Sequence, residues 1–186
     1  MTETSSPRPH AVVTGVSSGI GRAIALRLLQ DGWRVTGVCR SQPQDTHEHL
    51  RIVNADVADI DALPQVCARI TLDGAPVQAF MHAAGFMRTA PLGELDTDQG
   101  LAMWRLHVQA AEVMANALLV HMPDGARIVL IGSRTANGSP TRSQYAATKA
   151  ALVGMVRSWA LELGPRGITA NVIAPGATDT PFLRDP

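Results

Sequence analysis

The sequence predicts a single α/β domain: a doubly wound parallel sheet with helices on both faces. Short apolar runs alternate with longer helical patterns along the chain, as they do in successive βαβ units. The apolar runs contain few polar residues, which is typical of strands buried on both faces. With 186 residues, of which 46% are hydrophobic and 17% charged, the chain is long enough to bury one core.

Each element follows from a local pattern. Glycine at position 32 follows the last turn of the first helix, where glycine commonly ends helices. A short helix after the third strand is expected to be capped by Asp59 or Asp61, and a cap at Asp61 places Pro64 in the first turn. Residues 40–49 are polar and predict a loop. The predicted strands are residues 10–14, 33–39, 50–54, 77–82, 126–131 and 168–173, and the predicted longer helices are residues 20–30, 97–122 and 143–163.

Composition excludes several classes of protein. Sixteen basic residues balance 16 acidic ones, without the basic excess of a nucleic-acid-binding domain. We therefore expect no nucleic acid as a partner. No apolar run reaches the roughly 18–20 residues of a membrane helix, so we expect no membrane as a partner either. Two cysteines, Cys39 and Cys67, are too few for a disulfide framework and fit the reducing cytoplasm. Residues 1–9 predict a flexible lead-in to a domain at 10–186.

A glycine-rich turn follows the first predicted strand. Residues 14–21 read Thr-Gly-Val-Ser-Ser-Gly-Ile-Gly and open the first helix. Glycine lets the backbone approach a phosphate closely, and a helix N-terminus offers free N–H groups to a pyrophosphate. The spacing lacks the Gly-Lys-Ser/Thr ending of a P-loop, which weighs against an ATPase. The residues expected to contact a dinucleotide here are Gly15, Ser17, Ser18, Gly19, Ile20 and Gly21.

The end of the second strand indicates which dinucleotide binds. NAD-binding folds carry an acidic residue about 20 positions beyond the glycines, where it holds the ribose 2′-hydroxyl. The corresponding position is Cys39, and Arg40 follows it. No acid is in place to repel a 2′-phosphate, and an arginine can pair with one. The sequence therefore favours NADP(H), with NAD(H) kept as an alternative and a solvated loop charge as the other interpretation of Arg40.

Further motifs follow at the ends of later strands and in the last helix. In this order, the set resembles the short-chain dehydrogenase/reductase family, notably its 3-oxoacyl-carrier-protein reductases, over residues 14–180. The motifs are the glycine turn, Asp56-Val57, Ala84-Gly85, Ser133, Tyr145-x3-Lys149 and Pro175-Gly176.

The resemblance implies a Rossmann-type fold and hydride transfer between a nicotinamide and a carbonyl or secondary alcohol. Tyr145 and Lys149 share a helix face, so an ammonium would lower the phenol pKa and let Tyr145 act as general acid and base. Ser133 would orient the carbonyl. The other cofactor contacts that the resemblance implies are Asp56, Val57, Ala84, Gly85, Tyr145, Lys149, Pro175, Gly176, Thr178 and Thr180.

The chain departs from the family pattern at three places. Ser133 lies 12 residues before Tyr145 instead of the usual 13, and Ser143 is a weaker candidate for the same role. His107 stands where the family has an asparagine of the proton relay; a histidine there could serve the relay and titrate near pH 6–7, or could merely pack. His82 replaces the first asparagine of the family's Asn-Asn-Ala-Gly motif.

Other patterns are weaker. Residues 47–49 read His-Glu-His, but they lie in a polar loop and no metal site is expected there. Phe86, Met87 and Arg88 follow the fourth strand and are candidates for lining a substrate cleft. The two long helices carry apolar residues over a wide arc, and by family analogy they predict a homodimer or homotetramer.

Two functions are compatible with these residues. The first is an NADP(H)-dependent carbonyl reductase or alcohol dehydrogenase acting on a small molecule, which Ser133, Tyr145 and Lys149 together favour. The alternative is a dinucleotide-binding regulator or subunit with little or no turnover, motivated by His82, His107 and the short spacing from Ser133 to Tyr145. Family members commonly extend to roughly 240–260 residues, so the chain looks truncated after the sixth strand, with a substrate lid beginning at residues 181–186.

Overall fold

The computed structural model describes residues 8–180 and Arg184. Its sheet has six strands, all neighbours are parallel, and the order is β3-β2-β1-β4-β5-β6. This order is the one expected of a Rossmann fold, so the predicted fold class is confirmed. The strands are β1 (His10–Thr14), β2 (Arg34–Cys39), β3 (Leu50–Asn54), β4 (Ala79–His82), β5 (Arg127–Ile131) and β6 (Thr169–Ile173).

Helices cover both faces of the sheet. Alternate residues of β1 enter different buried clusters, since successive side chains of a strand point to opposite faces. Val12 packs in the cluster that includes α2, α4 and α5, whereas Ala11 and Val13 pack in the cluster that includes α1. The helices are α1 (Gly19–Gln30), α2 (Leu63–Ile70), α3 (Thr97–Trp104), α4 (Ala110–Leu118) and α5 (Ser143–Leu163).

The helix predicted over residues 97–122 is not one regular α-helix. A π-helical turn, Arg105–Gln109, joins α3 to α4, and the last turn, Leu119–His121, is a 3₁₀ helix. In the π turn the Ala110 N–H bonds to the carbonyl of Arg105 rather than to that of Leu106. The Leu106 carbonyl instead accepts a hydrogen bond from His82 Nε2 at 2.8 Å. A buried histidine needs such a partner, and this requirement is met at the expense of helical regularity.

The start of α2 differs in detail from the prediction. The helix begins at Leu63 after Ala62, and no side chain caps it, so neither Asp59 nor Asp61 is the N-cap. Asp59 Oδ1 accepts the Ala62 N–H at 3.3 Å within the preceding turn, and that turn leads the chain into the helix in place of a cap. Pro64 lies in the first turn as predicted. The other predicted elements agree with the structure to within two residues at each end.

Both predicted ends of the chain fall largely outside the described residues. The lead-in at residues 1–9 is described only for Arg8 and Pro9, and the expected start of a lid at residues 181–186 only for Arg184. Within the described part of the chain, no helix combines the length and apolarity needed to cross a membrane.

Candidate active site

One cavity of about 1010 Å³ lies at the carboxyl ends of the strands, where ligands bind in open parallel sheets. Every residue that the sequence predicted for catalysis or cofactor binding contributes to its lining, from Gly15 to Thr180. Ser133, at the end of β5, is among them, whereas Ser143 is exposed on the first turn of α5 and is not. Phe86, Met87 and Arg88 line the same cavity, as expected.

The prediction missed several polar residues of this lining. Arg134 directly follows Ser133, and Arg142 lies three residues before Tyr145 on the way into the same helix. Their positions in the sequence could have predicted them, because residues next to a catalytic residue at a strand end, or on its face of a helix, tend to line the same site. The missed polar lining residues are Cys39, Ser41, Gln99, Arg134, Thr135, Asn137, Ser139 and Arg142.

The glycine-rich turn packs closely against the loop after β4. Gly15 has φ +74° and Gly19 has φ +55°, a conformation that glycine adopts without steric cost. A Cβ on Gly15 would lie 2.9 Å from Ala84 Cα, and one on Gly21 would lie 2.4 Å from the Gly15 carbonyl oxygen. These positions therefore admit no larger residue, and the backbone itself forms this wall of the cavity.

The N-terminus of α1 opens into the cavity beside this turn. Ser18 precedes the helix, and its side chain makes no capping hydrogen bond. The first N–H groups of the helix, at Gly19 and Ile20, belong to residues that line the cavity. Such N–H groups, together with the positive end of the helix dipole, fit a pyrophosphate.

The end of β2 carries a cation that faces solvent. The Arg40 side chain is 79% exposed, and its guanidinium lies 3.8 Å from the Asp56 carboxylate. Cys39 is buried and donates its thiol hydrogen to the Ser41 carbonyl at 3.1 Å, and burial raises its pKa. The thiol therefore stays neutral at physiological pH, and Arg40 is the charged group that β2 presents here.

His82 connects three elements through a saturated set of hydrogen bonds. Thr14 Oγ1 accepts the N–H groups of Ala83 and Ala84, each at 3.0 Å, and donates to His82 Nδ1 at 3.0 Å. His82 Nε2 donates to the Leu106 carbonyl. Burial lowers the pKa of His82 to about 4, so the ring is neutral at physiological pH. As expected, His82 occupies the asparagine's position with contacts of its own.

His107 forms a second chain of hydrogen bonds, which leads to Tyr145. The Phe86 N–H donates to His107 Nε2 at 3.3 Å, so Nδ1 carries the hydrogen and donates to Thr148 Oγ1 at 2.9 Å. The Thr148 hydroxyl donates to the Tyr145 carbonyl at 2.8 Å. Burial, and then the charge of Lys149, lower the His107 pKa well below its usual value. The predicted titration near pH 6–7 is therefore wrong, and both ring nitrogens are already bonded.

The phenol, the lysine and the serine meet deep in the cavity. Tyr145 is 6% exposed and Lys149 is 5% exposed. The Lys149 ammonium lies 5.6 Å from the centre of the Tyr145 ring and donates to the Ile131 carbonyl at 2.9 Å. The Ser133 hydroxyl is hydrogen-bonded to Tyr145 and accepts the Thr135 N–H at 3.1 Å. Ser133 thus both caps a turn and contacts the phenol.

Burial dominates the proton affinities of this cluster. It raises the pKa of Tyr145, while the hydrogen bond from Ser133 and the charge of Arg142 act in the opposite direction. Burial also lowers the pKa of Lys149 to about 7. The expectation that Lys149 produces a net lowering of the Tyr145 pKa is therefore wrong for this structure. A lysine that is half charged near neutral pH gives weaker electrostatic support to a phenolate than a fully charged one.

Metal-binding side chains do not cluster in the described part of the chain. No group of three or more histidine, cysteine, aspartate or glutamate side chains suited to a metal ion is found there. The rings of His47 and His49 lie 5.5 Å apart between centroids, and His49 Nε2 is 3.5 Å from the Glu48 carboxylate.

The sequence profile described as short chain dehydrogenase matches residues 9–185, nearly the whole chain. This chain belongs to the short-chain dehydrogenase family. The family resemblance predicted from the motifs is thereby confirmed, and the protein is an oxidoreductase of the type that acts on alcohols or carbonyls with NAD(P).

Curated relatives of the family include the 3-oxoacyl-[acyl-carrier-protein] reductases. MabA of Mycobacterium tuberculosis is 33% identical over 176 residues, covering 93% of this chain and 70% of that protein. FabG of Salmonella typhimurium is 31% identical over 183 residues, covering 94% and 75% respectively. The 2,3-dihydro-2,3-dihydroxybenzoate dehydrogenase of Escherichia coli K12 is 32% identical over 175 residues, covering 92% and 70%. The chain thus spans about three quarters or less of these relatives.

Solved structures with known bound cofactors or family names superpose closely on the chain. A short-chain dehydrogenase from Burkholderia cenocepacia, in complex with NADP, has a TM-score of 0.83 at 35% identity and covers 94% of this chain and 76% of its own. A metagenomic blue fluorescent protein in complex with NADPH has a TM-score of 0.82 at 35% identity, covering 92% and 76%. A family member from Francisella tularensis reaches a TM-score of 0.90 at 26% identity, covering 96% and 74%.

Proposed function

We propose that this short-chain dehydrogenase transfers a hydride between NADP(H) and a small carbonyl compound or secondary alcohol. The observation that carries the proposal is the convergence of Ser133, Tyr145 and Lys149 in the cavity that the glycine-rich turn also lines. We assign the dinucleotide-binding and catalytic domain to residues 10–186. The alternative, a regulator or subunit with little turnover, lacks a comparable observation in its favour.

The shape of the cavity supports a dinucleotide as cofactor. Gly15 and Gly21 pack against backbone with no room for a Cβ, so the turn presents bare backbone to the cavity, and the uncapped start of α1 leaves N–H groups for the pyrophosphate. We assign the adenine end to Asp56 and Val57 and the nicotinamide end to Lys149. The nicotinamide supplies the hydride chemistry when it is bound. The loops after β4 and β6 would complete the cofactor site with Ala84, Gly85, Pro175, Gly176, Thr178 and Thr180.

Arg40 supports NADP(H) over NAD(H). An exposed guanidinium at the end of β2 can pair with a 2′-phosphate, and the buried thiol of Cys39 stands where an acid would repel one. The Asp56 carboxylate, 3.8 Å away, offsets only part of the attraction that Arg40 exerts on an anion, because solvent screens both partly exposed groups. Two family structures in complex with NADP or NADPH agree with this choice.

Proton transfer is assigned to Tyr145. Its hydroxyl gives a proton to the substrate oxygen in reduction and takes one in oxidation. The Ser133 hydroxyl, already hydrogen-bonded to the phenol, orients the same oxygen. The Lys149 ammonium lies 5.6 Å from the centre of the Tyr145 ring, and with a pKa of about 7 it becomes more fully charged as pH falls toward and below neutrality. His107 acts through Thr148 as a positioning residue that holds the turn carrying Tyr145.

The test is NADPH oxidation with a broad panel of carbonyl compounds, compared between the parent and Tyr145→Phe. The substitution keeps the ring and removes the transferable proton, so we expect turnover to fall roughly 100- to 10,000-fold, far more than NADPH affinity falls. Equal rates in parent and variant would refute the assignment of Tyr145. Tight NADPH binding without turnover across the panel would favour the regulator instead.

The assembly and location are proposed on separate grounds. Apolar side chains remain exposed on two helices: Leu101 and Trp104 of α3 are 47% and 39% exposed, and Leu161 of α5 is 82% exposed. We propose that these helices pair in a homodimer or homotetramer, which light scattering would detect. Cys39 and Cys67 are both free thiols, which fits the cytoplasm that we propose, and cell fractionation tests it.

A further inference from the structure

We propose that the substrate carries an anionic oxygen group, a carboxylate or a phosphate, which Arg142 binds with the help of Arg88 and Arg134. The inference rests on the proposed function, because it concerns the substrate of the same cavity. The inference goes beyond that function in two respects: it makes Arg142 a specificity-determining residue, and it requires the substrate to be negatively charged.

Charge is distributed unequally along the cavity. Among the described residues that line it, Asp56 is the only acid, and Asp56 lies beside Arg40 at the end assigned to adenine. The segments after β4 and β5 and before α5 contribute three arginines to the lining, Arg88, Arg134 and Arg142. Within residues 8–180 and Arg184, no carboxylate oxygen lies within 4 Å of these three guanidinium groups. A partly enclosed cavity lined by uncompensated positive charge concentrates anions.

Arg142 is the arginine nearest to the reacting group in the sequence. It immediately precedes α5 and lies three residues before Tyr145, so the two side chains share one side of the helix start. It is half-buried, and its positive charge lowers the pKa of Tyr145 against the larger effect of burial. A substrate whose carbonyl meets the phenol therefore places its neighbouring atoms within reach of this guanidinium.

The backbone before Arg142 is held in an uncommon conformation. Thr141 has φ +62°, which is unfavourable for a β-branched residue. Its carbonyl accepts the Ala90 N–H at 2.8 Å. This bond ties the loop that carries Arg88 to the loop that carries Arg142, so the two arginines come from different segments to one side of the cavity. Strain of this kind persists where surrounding contacts require it.

The other two arginines already have supporting contacts. The Arg88 guanidinium lies 5.3 Å from the centre of the Phe86 ring and donates to the Met87 carbonyl at 3.0 Å. Arg134 packs against Gly176, where an added Cβ would lie 3.4 Å from its Nη1. These contacts orient Arg88 and Arg134 along the walls, and they leave Arg142 as the principal anion-binding group.

The test compares matched substrates that differ in charge: 3-oxobutanoate against its ethyl ester, and dihydroxyacetone phosphate against dihydroxyacetone. With saturating NADPH, we expect kcat/KM of the parent to favour one of the anions at least tenfold. In Arg142→Gln the ratio of kcat/KM for the anion to that for its neutral partner should fall on the order of tenfold to hundredfold, mainly because KM for the anion rises. A hydrogen bond between charged groups contributes a binding free energy of that size. A preference within the first pair indicates a carboxylate substrate, and a preference within the second pair indicates a phosphate.

Arg157→Gln is the matched control. It removes the same charge from the helix that Arg142 precedes, and Arg157 is exposed and does not line the cavity. Arg157→Gln should retain the preference of the parent, and the NADPH dissociation constant should be unchanged in both variants. Equal kcat/KM for anion and neutral partner, or equal behaviour of the two variants, would overturn the proposal. So would a loss of NADPH affinity in Arg142→Gln as large as the loss of anion preference, since the arginine would then serve the cofactor.

A binding measurement separates this inference from the proposed function. The whole protein, saturated with NADP⁺, is titrated with 3-oxobutanoate and dihydroxyacetone phosphate by calorimetry, for the parent, Arg142→Gln and Arg157→Gln. Weaker anion binding in Arg142→Gln alone supports the anion site even if no carbonyl is turned over, which would count against the function only. If neither anion binds the parent detectably more tightly than its neutral partner, the ethyl ester or dihydroxyacetone, the inference is overturned.

Discussion

The two sides of the cavity are built in different ways. On the cofactor side, backbone packs on backbone: Gly15 lies against Ala84, and Gly21 lies against the carbonyl of Gly15. On the catalytic side, buried side chains bond to one another: His82 joins β1, β4 and the π turn, and His107 reaches the turn of Tyr145 through a threonine. The first side depends on the absence of side-chain atoms, and the second on every polar atom having a partner.

The two kinds of packing tolerate different changes. A steric contact between backbones is insensitive to pH and fails when one carbon is added. A network of neutral histidines tolerates no unpaired donor and loses its hydrogen-bonding pattern when a proton is added. Substitutions and changes of pH can therefore test one side against the other.

The largest effect is expected from Gly21→Ala. The new Cβ would lie 2.4 Å from the Gly15 carbonyl oxygen and 2.8 Å from that of Thr14, so the backbone must move. We expect the free energy of unfolding to fall by about 3 kcal/mol, and NADPH binding to be lost with it. Urea denaturation measures the first and fluorescence titration the second.

Gly154→Ala provides the control for this substitution. Gly154 lies in α5, and an added Cβ would meet no atom within 4 Å. Replacing an exposed helical glycine by alanine should therefore stabilise the protein by about 0.5–1 kcal/mol. A destabilised Gly154→Ala, or an unaffected Gly21→Ala, would contradict the steric account of the cofactor side.

The catalytic side should instead be sensitive to acid. The pKa of His82 is lowered by burial from an ordinary 6.5 to about 4, so the unfolded chain binds a proton between these values and the folded chain does not. Stability from His82 is complete above pH 6.5 and is lost as pH falls toward 4, by up to about 3 kcal/mol. His107 and His10, whose pKa values burial also lowers, change stability in the same direction.

Denaturant unfolding at a series of pH values between 7 and 4 measures this loss. His82→Asn cannot titrate in this range, so its stability should fall less steeply with acid than that of the parent. His47→Asn removes an exposed histidine from the loop after β2 and should retain the slope of the parent. Parallel curves for the parent and His82→Asn would show that His82 does not carry the acid sensitivity.

A smaller effect is expected from removing the His107 ring. His107→Leu leaves the Phe86 N–H and the Thr148 hydroxyl without this partner, which should cost about 1–3 kcal/mol of stability. Because Thr148 bonds to the Tyr145 carbonyl, we also expect kcat to fall with little change in KM. His107→Asn, whose amide both donates and accepts, should recover part of kcat. If both variants have the kcat of the parent, His107 does not position Tyr145.

The smallest effect is expected at the exposed edge of the cofactor side. Arg40→Asp replaces the cation at the end of β2 by an acid, which repels a 2′-phosphate and can accept from a ribose hydroxyl. The ratio of kcat/KM for NADPH to that for NADH should fall about tenfold or more, with stability unchanged because Arg40 is mostly exposed. An unaltered ratio would remove Arg40 from cofactor selection.

The fold and the cofactor side were the more predictable parts. Apolar strand patterns and the glycine spacing act locally, so the strands, the turn and the positions of Tyr145 and Lys149 on one helix could be read in advance. The start of α2 could not, because a turn stabilised by Asp59 took the place of a capping side chain. The π turn could not either, since the partner of its Leu106 carbonyl, His82, lies 24 residues away in the sequence.

By itself, the sequence determined the βαβ succession, the glycine-rich turn and the identity of the groups that reach the strand ends, because these depend on residue type and short spacing. Only the tertiary structure decided the proton affinities and the charge of the cavity. Burial raises the pKa of Tyr145, where a lowered pKa was expected, and it lowers the pKa of Lys149 to about 7. Likewise, the loops that carry Arg88 and Arg142 are joined only by a long-range hydrogen bond from the Ala90 N–H to the Thr141 carbonyl. Desolvation and charge proximity depend on what surrounds a group in space, which no local pattern encodes.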